Sequence, residues 1–518
     1  MVEDFTNFEI DWSTPQTLLD SAREIHRAAS KAFKAGNLEA HRTLREKAEV
    51  AYNGLVSREY KDAFALVLLA VMDQERNYHG RSIALLQVAV AKLMNWLQKS
   101  PKDKEDIYKW LRDAYCTMAF CHRGEGRRTE AVKAFETALT YGPSDPEILS
   151  GFAGLYINDG NPQACIDLVN RAKAIAPNDI ENHWNLALAH LELGHWKIGF
   201  DYYHKGVLGK ERLNLNYWAQ GKTPIWDGTP GQTIVVYGEQ GVGDEIMFSS
   251  CLPEFIKDCK HVIFDCHPRL EKTFKRSFPG IEIFGTRKER ALGWAEHRTD
   301  IEACVAIGSL PMFYRSKDAD FKQYEDGYLR ADPERVAHFR GILEALGPGP
   351  YGGLAWQGGV KKTRFDLRSV PLGKLAPVLA LPVKWISLHY MPEAAKAAAK
   401  YDLIHWQEVI DDLDEMHALI CACDFVVAVN QTLVHQAGAL GKKAFVLTPA
   451  RPAWRYGLEG RKMIWYPSVT QYRQRMEEEP NWEPTIGRLI EDLRIYMKNL
   501  NAPSNSGQRT QHNQIAAG

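Results

Sequence analysis

One short stretch of the chain combines glycines with a carboxylate in a pattern suited to group-transfer chemistry. It reads Tyr237-Gly-Glu-Gln-Gly-Val-Gly-Asp244. Its three glycines allow a tight turn and a close approach of the backbone to a ligand. Asp244 stands where the following helix begins, so its carboxylate could cap that helix or act as a general base at the mouth of a sugar-phosphate site. The glycine loop alone leaves both interpretations open.

The spacing of these glycines excludes two common phosphate-binding loops. The dinucleotide fingerprint Gly-x-Gly-x-x-Gly is absent, because Ile246 stands where the last glycine would fall. The Walker loop is also absent, since no Gly-Lys-Ser/Thr follows. The apolar run at 233–237 predicts a buried strand, and Ile246, Met247 and Phe248 begin a helix. This strand, loop and helix would direct backbone N–H groups at a ligand.

A second polar cluster lies further along the chain. The predicted strand 351–356 leads to Gly358 and to a loop crowded with cations: Lys361, Lys362, Arg364 and Arg368. The predicted strand 424–429 leads to Asn430-Gln-Thr-Leu-Val-His435 and a short helix of small residues. Small residues let such a helix lie close to a sheet, and its N-terminus, with Asn430, Gln431 and Thr432, could hold a phosphate.

Alternating strands and helices position both clusters. Strands are predicted at 233–237, 261–265, 281–284, 302–307, 351–356, 383–388, 424–429 and 444–447, with helices near 244–258, 267–277, 333–346 and 486–500. This pattern indicates two parallel α/β units in tandem. Ligands of such units bind beyond the carboxyl ends of the strands, so we expect a cleft between the two units.

A repeat of 34 residues precedes the α/β region. Ala119, Ala153 and Ala187 follow this period, as do Pro143 and Pro177 and the turns at 126–127, 160–161 and 194–195. The pattern resembles three tetratricopeptide repeats over about 112–213, although the third is weaker because glycine replaces alanine at 199 and 206. Such arrays present a groove for a protein or peptide, or they serve only as a brace for the next domain. The helical region before them could hold degenerate repeats.

Composition and net charge bear on the binding partners and the location of the protein. The chain has 518 residues, 45% hydrophobic residues and a net charge of −1, which gives no electrostatic case for nucleic acid or membrane binding. Its nine cysteines are scattered and include no Cys-x-x-Cys pair, which favours reduced thiols and a cytoplasmic location. The sequence predicts no signal peptide and no membrane span.

Several motifs together resemble one family. They are Glu239-Gln-Gly-Val-Gly-Asp244, Trp356-x-Gly358, Arg368-Ser-Val-Pro-Leu372, Asn430-x-Thr-x-x-His435-x-Ala-Gly-Ala-Leu-Gly441, Trp454-Arg455 and Trp465-Tyr-Pro467. In this order they resemble bacterial tetratricopeptide-repeat proteins that end in a GT-B glycosyltransferase domain. That domain is similar to heptosyltransferases and, more distantly, to O-linked N-acetylglucosamine transferase.

The resemblance implies a nucleotide-sugar donor and a mechanism without a metal or other cofactor. Asp244 would be the base that activates the acceptor, and His435 would turn toward the donor diphosphate. Lys362 and Arg368 would neutralise the leaving group. The implied donor-binding residues are Gln240, Gly241, Gly243, Trp356, Gly358, Lys362, Arg368, Asn430, Gln431, Thr432 and His435. One departure concerns Asn430-Gln431, where the relatives usually carry Asp-Thr.

The expected fold class is a helical solenoid followed by a GT-B pair of Rossmann-like domains. The boundaries are a helical array at 1–111, repeats at 112–213, a linker at 214–232, an acceptor-side domain at 233–345, a nucleotide-sugar domain with a closing helix at 346–500 and a disordered tail at 501–518.

The expected function is transfer of a sugar to a macromolecular acceptor, a protein or peptide held by the repeats. Three alternatives stay open: a non-catalytic scaffold with a degenerate GT-B domain, a transferase acting on a polysaccharide or lipid, and a nucleotide-sugar epimerase, which would not need the repeats.

Overall fold

The structure is a computed structural model that describes residues 8–34, 37–57, 62–177, 180–208, 218, 221–287, 289, 291–359, 365–391 and 393–501. The chain forms two compact units. The first comprises Met1–Ile157 and Gln163–Asn185, and the second comprises Asn158–Pro162 and Leu186–Gly518. Lys362 and nearly all of the predicted tail fall outside the described residues, so those two predictions stay predictions.

The first unit is helical. Its helices, of which the last continues into the second unit, are α1 (Pro15–Lys34), α2 (Leu38–Ser57), α3 (Asp62–Glu75), α4 (His79–Lys99), α5 (Lys104–Gly124), α6 (Arg128–Tyr141), α7 (Pro146–Asn158), α8 (Pro162–Ile175) and α9 (Ile180–Glu192). Consecutive helices pack as pairs, α1 on α2, α3 on α4 and α5 on α6. Each pair buries small residues such as Ala22, Ala48 and Ala119, which lets the helices approach closely.

The repeat period is visible in the backbone. Gly126, Gly160 and Gly194 follow α5, α7 and α9 at intervals of 34 residues, with φ angles of 72°, 69° and 73°. Side chains strain the backbone in this left-handed region, so glycine ends each first helix of a repeat. In the third repeat a Cβ on Gly199 would lie 2.7 Å from the Leu191 side chain, which explains the glycine where alanine is usual.

The second unit begins inside the third repeat and contains its last helix, α10 (Trp196–Leu208). The division between the compact units therefore falls inside the third repeat, ahead of the predicted repeat boundary at 213, which stays a prediction. Trp196, Phe200 and Tyr203 lie on one face of α10, and their rings contact aromatic rings of the α/β region. This burial of aromatic surface joins the helix to the domain that follows it.

The first sheet is parallel, with strand order β3-β2-β1-β4. Its strands are β1 (Thr233–Tyr237), β2 (His261–Asp265), β3 (Glu282–Phe284) and β4 (Ala303–Ala306). The helices of this half are α11 (Val242–Phe248), α12 (Leu252–Asp258), α13 (Glu271–Ser277), α14 (Gly293–Glu296), α15 (Leu310–Tyr314) and α16 (Pro333–Ala345). The single helix predicted over 244–258 is interrupted by a 3-10 turn at Ser249–Cys251, just before Pro253 enters the first turn of α12.

Part of the predicted linker belongs to this sheet. Ile225 forms a parallel bridge to Cys304 of β4, and the Trp226 N–H donates to the Cys304 carbonyl at 2.9 Å. The Trp226 ring is buried against Phe255. The segment is rich in glycine and proline, which predicts a loop, but its two apolar residues pair and pack against the edge of the sheet.

The second sheet has strand order β6-β5-β7-β8-β10-β9, and only β9 runs antiparallel to its neighbour. Its strands are β5 (Tyr351–Ala355), β6 (Lys384–Ser387), β7 (Phe425–Val429), β8 (Ala444–Thr448), β9 (Lys462–Met463) and β10 (Tyr466–Arg473). The helices are α17 (Ala376–Leu379), α18 (Ala394–Lys400), α19 (Gln407–Asp411), α20 (Leu413–Ala422), α21 (Thr432–Ala439) and α22 (Glu483–Asn501).

Two features of this half concern its edges. The sequence did not predict β10, because Pro467 argues against a strand. Pro467 is exposed where the pairing with β9 loses its register, so the missing N–H disrupts no ladder. The closing helix α22 was predicted, and it buries Ile486, Leu489 and Leu493 in the core beneath the sheet.

Candidate active site

The glycine loop leaves β1 through a turn that excludes side chains. A Cβ on Gly238 would lie 2.2 Å from Oε2 of Glu245, and Gln240 adopts a left-handed φ of 58° without being glycine. The Gly241 N–H donates to Oδ2 of Asp244 at 3.3 Å, as in a helix-capping box. The capping interpretation of Asp244 therefore has a geometric basis, and it leaves Oδ1 for another partner.

A buried ion pair supports this loop from below. Glu245 lies 3.1 Å from Arg287, accepts a hydrogen bond from the His267 N–H at 2.7 Å and is fully buried. Arg287 in turn donates to the carbonyl of Gln240 at 3.0 Å. Burial raises the pKa of Glu245 to about 7, although the charge of Arg287 opposes the shift. Neither residue was predicted from the sequence, where the adjacency of Glu245 to Asp244 is the only signal for the first.

The other carboxylate oxygen of Asp244 forms an ion pair with an arginine from the second half. Arg455 Nη2 lies 2.5 Å from Asp244 Oδ1, and both side chains are about one-fifth exposed. Burial lowers the pKa of Arg455, but the charge of Asp244, together with Tyr456, Tyr203 and Tyr466, leaves the pKa above its ordinary value. Its Nε is buried with no hydrogen-bond partner among the described residues. The Trp454-Arg455 motif was the sequence signal for this residue, which had not been assigned to the site.

The second half presents buried amides beside the start of α21. Asn430 and Gln431 are 2% and 5% exposed, and Nδ2 of the first and Nε2 of the second find no partner among the described residues. Asn430 Oδ1 accepts from the Thr448 hydroxyl at 3.1 Å, which points the amide nitrogen away from β8. Gly358 must be glycine here, because a Cβ would lie 2.9 Å from the Asn430 carbonyl oxygen. Buried donors without partners beside a helix N-terminus are suited to an anion.

His435 lies on α21 beneath the glycine loop. Its Nδ1 is 3.1 Å from the Tyr466 hydroxyl, and its Nε2 is 3.5 Å from the Tyr456 hydroxyl. Burial, with the charge of Arg455 adding to it, holds the pKa of His435 well below its usual range, so the ring is neutral. Its predicted contact with a diphosphate stays a prediction.

The two helix starts are in close contact across the cleft. A Cβ on Gly243 would lie 3.1 Å from Cδ2 of His435 and 3.4 Å from Cα of Thr432. The structure thus brings the predicted residues Gly243, Thr432 and His435 together, and a larger side chain at 243 would push the two halves apart.

Arg368 completes the positive side of the site. Its Nη1 lies 3.4 Å from the Asn430 carbonyl, at the outer limit of a hydrogen bond. Burial lowers the pKa of Arg368, and the charge of Arg455 adds to this effect, whereas Tyr456, Tyr390 and Asp244 oppose it. The charge of Asp244 acts on both Arg368 and Arg455, and positive charge from two halves at one place favours an anionic ligand.

Trp356, and two aspartates that lie outside this site, have structural partners. Trp356 is buried and lies against His389, with ring centroids 4.2 Å apart, so its predicted donor contact would have to come from its edge. Asp318 accepts from the Trp196 indole at 2.5 Å, and Asp414 forms an ion pair with Arg276 at 2.8 Å. Among the described residues, no three His, Cys, Asp or Glu side chains are grouped to hold a metal ion.

Comparison with known proteins bears on the helical region first. The tetratricopeptide repeat family model matches residues 122–191. This part of the helical region consists of tetratricopeptide repeats. The chain is also 28% identical over 435 residues to Protein FlbA of Caulobacter vibrioides. This alignment covers 73% of this chain and 72% of that protein.

Two solved structures are similar to the chain in architecture. A glycosyl transferase family 9 protein from Veillonella parvula aligns with 52% of this chain and 98% of its own, with 10% identity and a TM-score of 0.37. An O-GlcNAc transferase from Thermobaculum terrenum aligns with 85% of this chain and 94% of its own, with 12% identity and a TM-score of 0.28. The predicted fold class, a helical array followed by two α/β halves, is confirmed, because the two sheets described above show those halves directly.

The last helix of the tetratricopeptide-repeat array packs behind the candidate catalytic pair. The ring centroid of Phe200 lies 6.1 Å from that of Trp454, the neighbour of Arg455. The ring centroid of Tyr203 lies 5.8 Å from that of Phe248, at the end of α11. The elements that carry Asp244 and Arg455 therefore rest on one repeat helix. In the described part of the chain, no helix combines the length and apolar character needed to cross a membrane.

Proposed function

We propose that the second unit transfers a sugar from a nucleotide-sugar to a hydroxyl group of an acceptor. One observation carries the proposal. A carboxylate, two guanidinium groups and two unpartnered buried amides converge beyond the carboxyl ends of β1, β5 and β7. Parallel α/β sheets bind nucleotides at this edge, and a departing diphosphate needs cations and N–H donors there.

Each group has a distinct role in this reaction. The donor diphosphate would bind Arg368, the amides of Asn430 and Gln431, and the N-terminus of α21. The diphosphate would also compete with Asp244 for Arg455, because both are anions that form charge-assisted hydrogen bonds with the same guanidinium. Once released, Asp244 takes the proton of the acceptor hydroxyl, the acceptor oxygen bonds to the sugar, and the bond from the sugar to the diphosphate breaks.

The acceptor that this architecture favours is a protein or peptide. Tetratricopeptide-repeat arrays bind such partners along a surface built by successive helices. That surface is far larger than a monosaccharide, so a small acceptor would leave most of it unused.

A donor screen tests the proposal directly. ADP-, UDP-, GDP- and CMP-sugars are added to the full chain, and we expect one of them to raise the melting temperature, because a ligand bound only by the folded state stabilises it. Asp244→Asn should then slow transfer by about 100-fold or more, while the exposed control Glu491→Gln should not. Arg368→Ala should weaken donor binding, and the exposed control Arg494→Ala should leave it unchanged.

A non-catalytic scaffold is the second candidate, and a specific observation favours it. Asp244 is already paired with Arg455, and Asn430-Gln431 stand where the resembling proteins usually carry Asp-Thr. A scaffold predicts no stabilisation by any nucleotide-sugar and no donor hydrolysis. If a donor binds and the acceptor proves to be a lipid or polysaccharide, the chemistry holds and the proposed protein acceptor is rejected.

A further inference from the structure

A cavity of about 490 Å³ opens at the edge of the second sheet, away from the candidate active site. Lys443, which precedes β8, lines it together with residues of β9, β10 and α22. Thr448, at the other end of β8, bonds to Asn430 of the candidate donor site. Four residue steps of a strand separate these two ends by on the order of 13 Å. The cavity therefore lies at the opposite edge of the sheet from the donor site.

The lining of this cavity carries more positive than negative charge. Lys443, Arg461 and Lys462 are cations and Asp492 is the one carboxylate among its lining residues, which gives 3 − 1 = +2. Asp492 is already engaged, because it pairs with Arg461 and accepts from the Tyr472 hydroxyl. The positive charge of the two lysines is thus left without a carboxylate in the cavity.

Lys443 is the unusual member of the group. Its Nζ donates to the Thr470 hydroxyl at 2.8 Å and lies 5.2 Å from the centre of the Phe445 ring. Among the described residues no carboxylate lies within ion-pair distance of it. Burial lowers its pKa and the charge of Arg461 lowers it further, while the charge of Asp492 opposes these two effects without cancelling them. A half-buried ammonium beside a second cation is costly unless an anion joins them.

The walls of the cavity are aromatic. The rings of Tyr496 and Tyr472 lie 5.3 and 6.2 Å from that of Phe445, and Ile495 stands at the rim with 59% of its surface exposed. Phe445 and Tyr472 are only 3% and 4% exposed, so the apolar surface open to a ligand comes from Tyr496 and Ile495. Such a surface next to cations can hold a planar ring whose substituent is negatively charged.

We infer that this cavity binds a small organic phosphate that carries a flat ring. A phosphate monoester has a charge of about −1.5 to −2 at pH 7, which matches the excess of +2. The volume is within the range of about 300–1,000 Å³ that is usual for small-ligand sites. The inference does not depend on the proposed sugar transfer, because none of its residues belongs to that site.

Calorimetric titration of the full chain tests this inference, with phenyl phosphate as the probe and inorganic phosphate and phenol as its two halves. We expect phenyl phosphate to bind more tightly than either half. The double variant Lys443→Gln/Lys462→Gln should weaken its binding by about tenfold or more, because it removes two charge-assisted contacts. Lys498→Gln, which removes one charge from an exposed position of α22 outside the cavity, should change nothing.

Two further variants distinguish binding in this cavity from binding at the candidate donor site. Ile495→Glu places a negative charge at the exposed rim without disturbing the core, and it should also weaken phenyl phosphate binding. Arg368→Ala removes a candidate donor-site cation and should leave this binding unchanged. Binding that survives both cavity variants, disappears in Arg368→Ala or is no tighter than that of inorganic phosphate would overturn the inference.

Discussion

The ion pair between Asp244 and Arg455 allows a quantitative prediction. Exposed ion pairs contribute about 0.2–1 kcal/mol, and breaking a fully buried pair costs about 3–5 kcal/mol. With a single contact of 2.5 Å and one-fifth exposure on each side, this pair lies between those limits. We therefore expect Arg455→Gln to lower the free energy of unfolding by about 2 kcal/mol, a factor of about 30 in the folding equilibrium.

A double-mutant cycle separates the pair from its surroundings. Asp244→Asn/Arg455→Gln leaves no charge unpaired, so it should lose about 1 kcal/mol less than the sum of the single variants. Urea denaturation followed by circular dichroism measures all four proteins. Arg494→Gln, at an exposed position of α22, is the matched control for loss of an arginine. Additive effects would mean that the two charges do not interact in solution.

The same variants test the proposed competition for Arg455. If Asp244 and the donor diphosphate share this guanidinium, Asp244→Asn should bind the cognate nucleoside diphosphate several-fold more tightly, although it slows transfer. Arg455→Gln should bind it more weakly, and Arg455→Lys should restore part of the affinity because the charge is retained. Weaker diphosphate binding by Asp244→Asn, measured by calorimetry, would refute the competition.

Three further predictions concern the supports of the site. Gly243→Ala places a Cβ 3.1 Å from His435 and should lower the free energy of unfolding in urea by about 1–3 kcal/mol, whereas Gly280→Ala, which meets no atom within 4 Å, should not. The pKa of Glu245 lies at about 7, above its unfolded value, so the protein should lose stability as the pH rises through the window from about 4.5 to 7. Glu245→Gln should have a lower melting temperature across that window, and this temperature should change less with pH. An unchanged pH dependence of the melting temperature would assign the effect to other groups. Phe200→Ala should cost about 3–5 kcal/mol in urea, because this fully buried ring packs on Trp454; a loss below 1 kcal/mol would mean that α10 is not docked.

The elements of the fold were largely predictable, because local patterns determine them. Buried apolar runs located β1 and β7 to the residue or within one, and the spacing of glycines located the repeat turns. The small residues of α21 predicted its closeness to the sheet, and a Cβ on Gly438 would indeed lie 2.3 Å from the Tyr466 ring. Strands such as β10 were missed where a proline stands at an edge that needs no N–H donor.

The partners in the site were less predictable, because they depend on how distant segments meet. Asp244 and Arg455 are 211 residues apart, and Glu245 and Arg287 lie on different connections of the same sheet. No local period links either pair. The sequence could nominate a carboxylate and a set of cations, but which cation faces the carboxylate is decided by the closure of the two halves.

The docking of α10 has a consequence for how this protein can change. Whole repeats can be gained or lost ahead of α9 without touching the ring contacts of Trp196, Phe200 and Tyr203. The final repeat lacks that freedom, since its last helix covers the back of the elements that carry the candidate catalytic pair. An exchange of arrays between related proteins would therefore succeed only if the graft were joined before this helix, and a fragment that starts after it would expose a wall of aromatic rings to water.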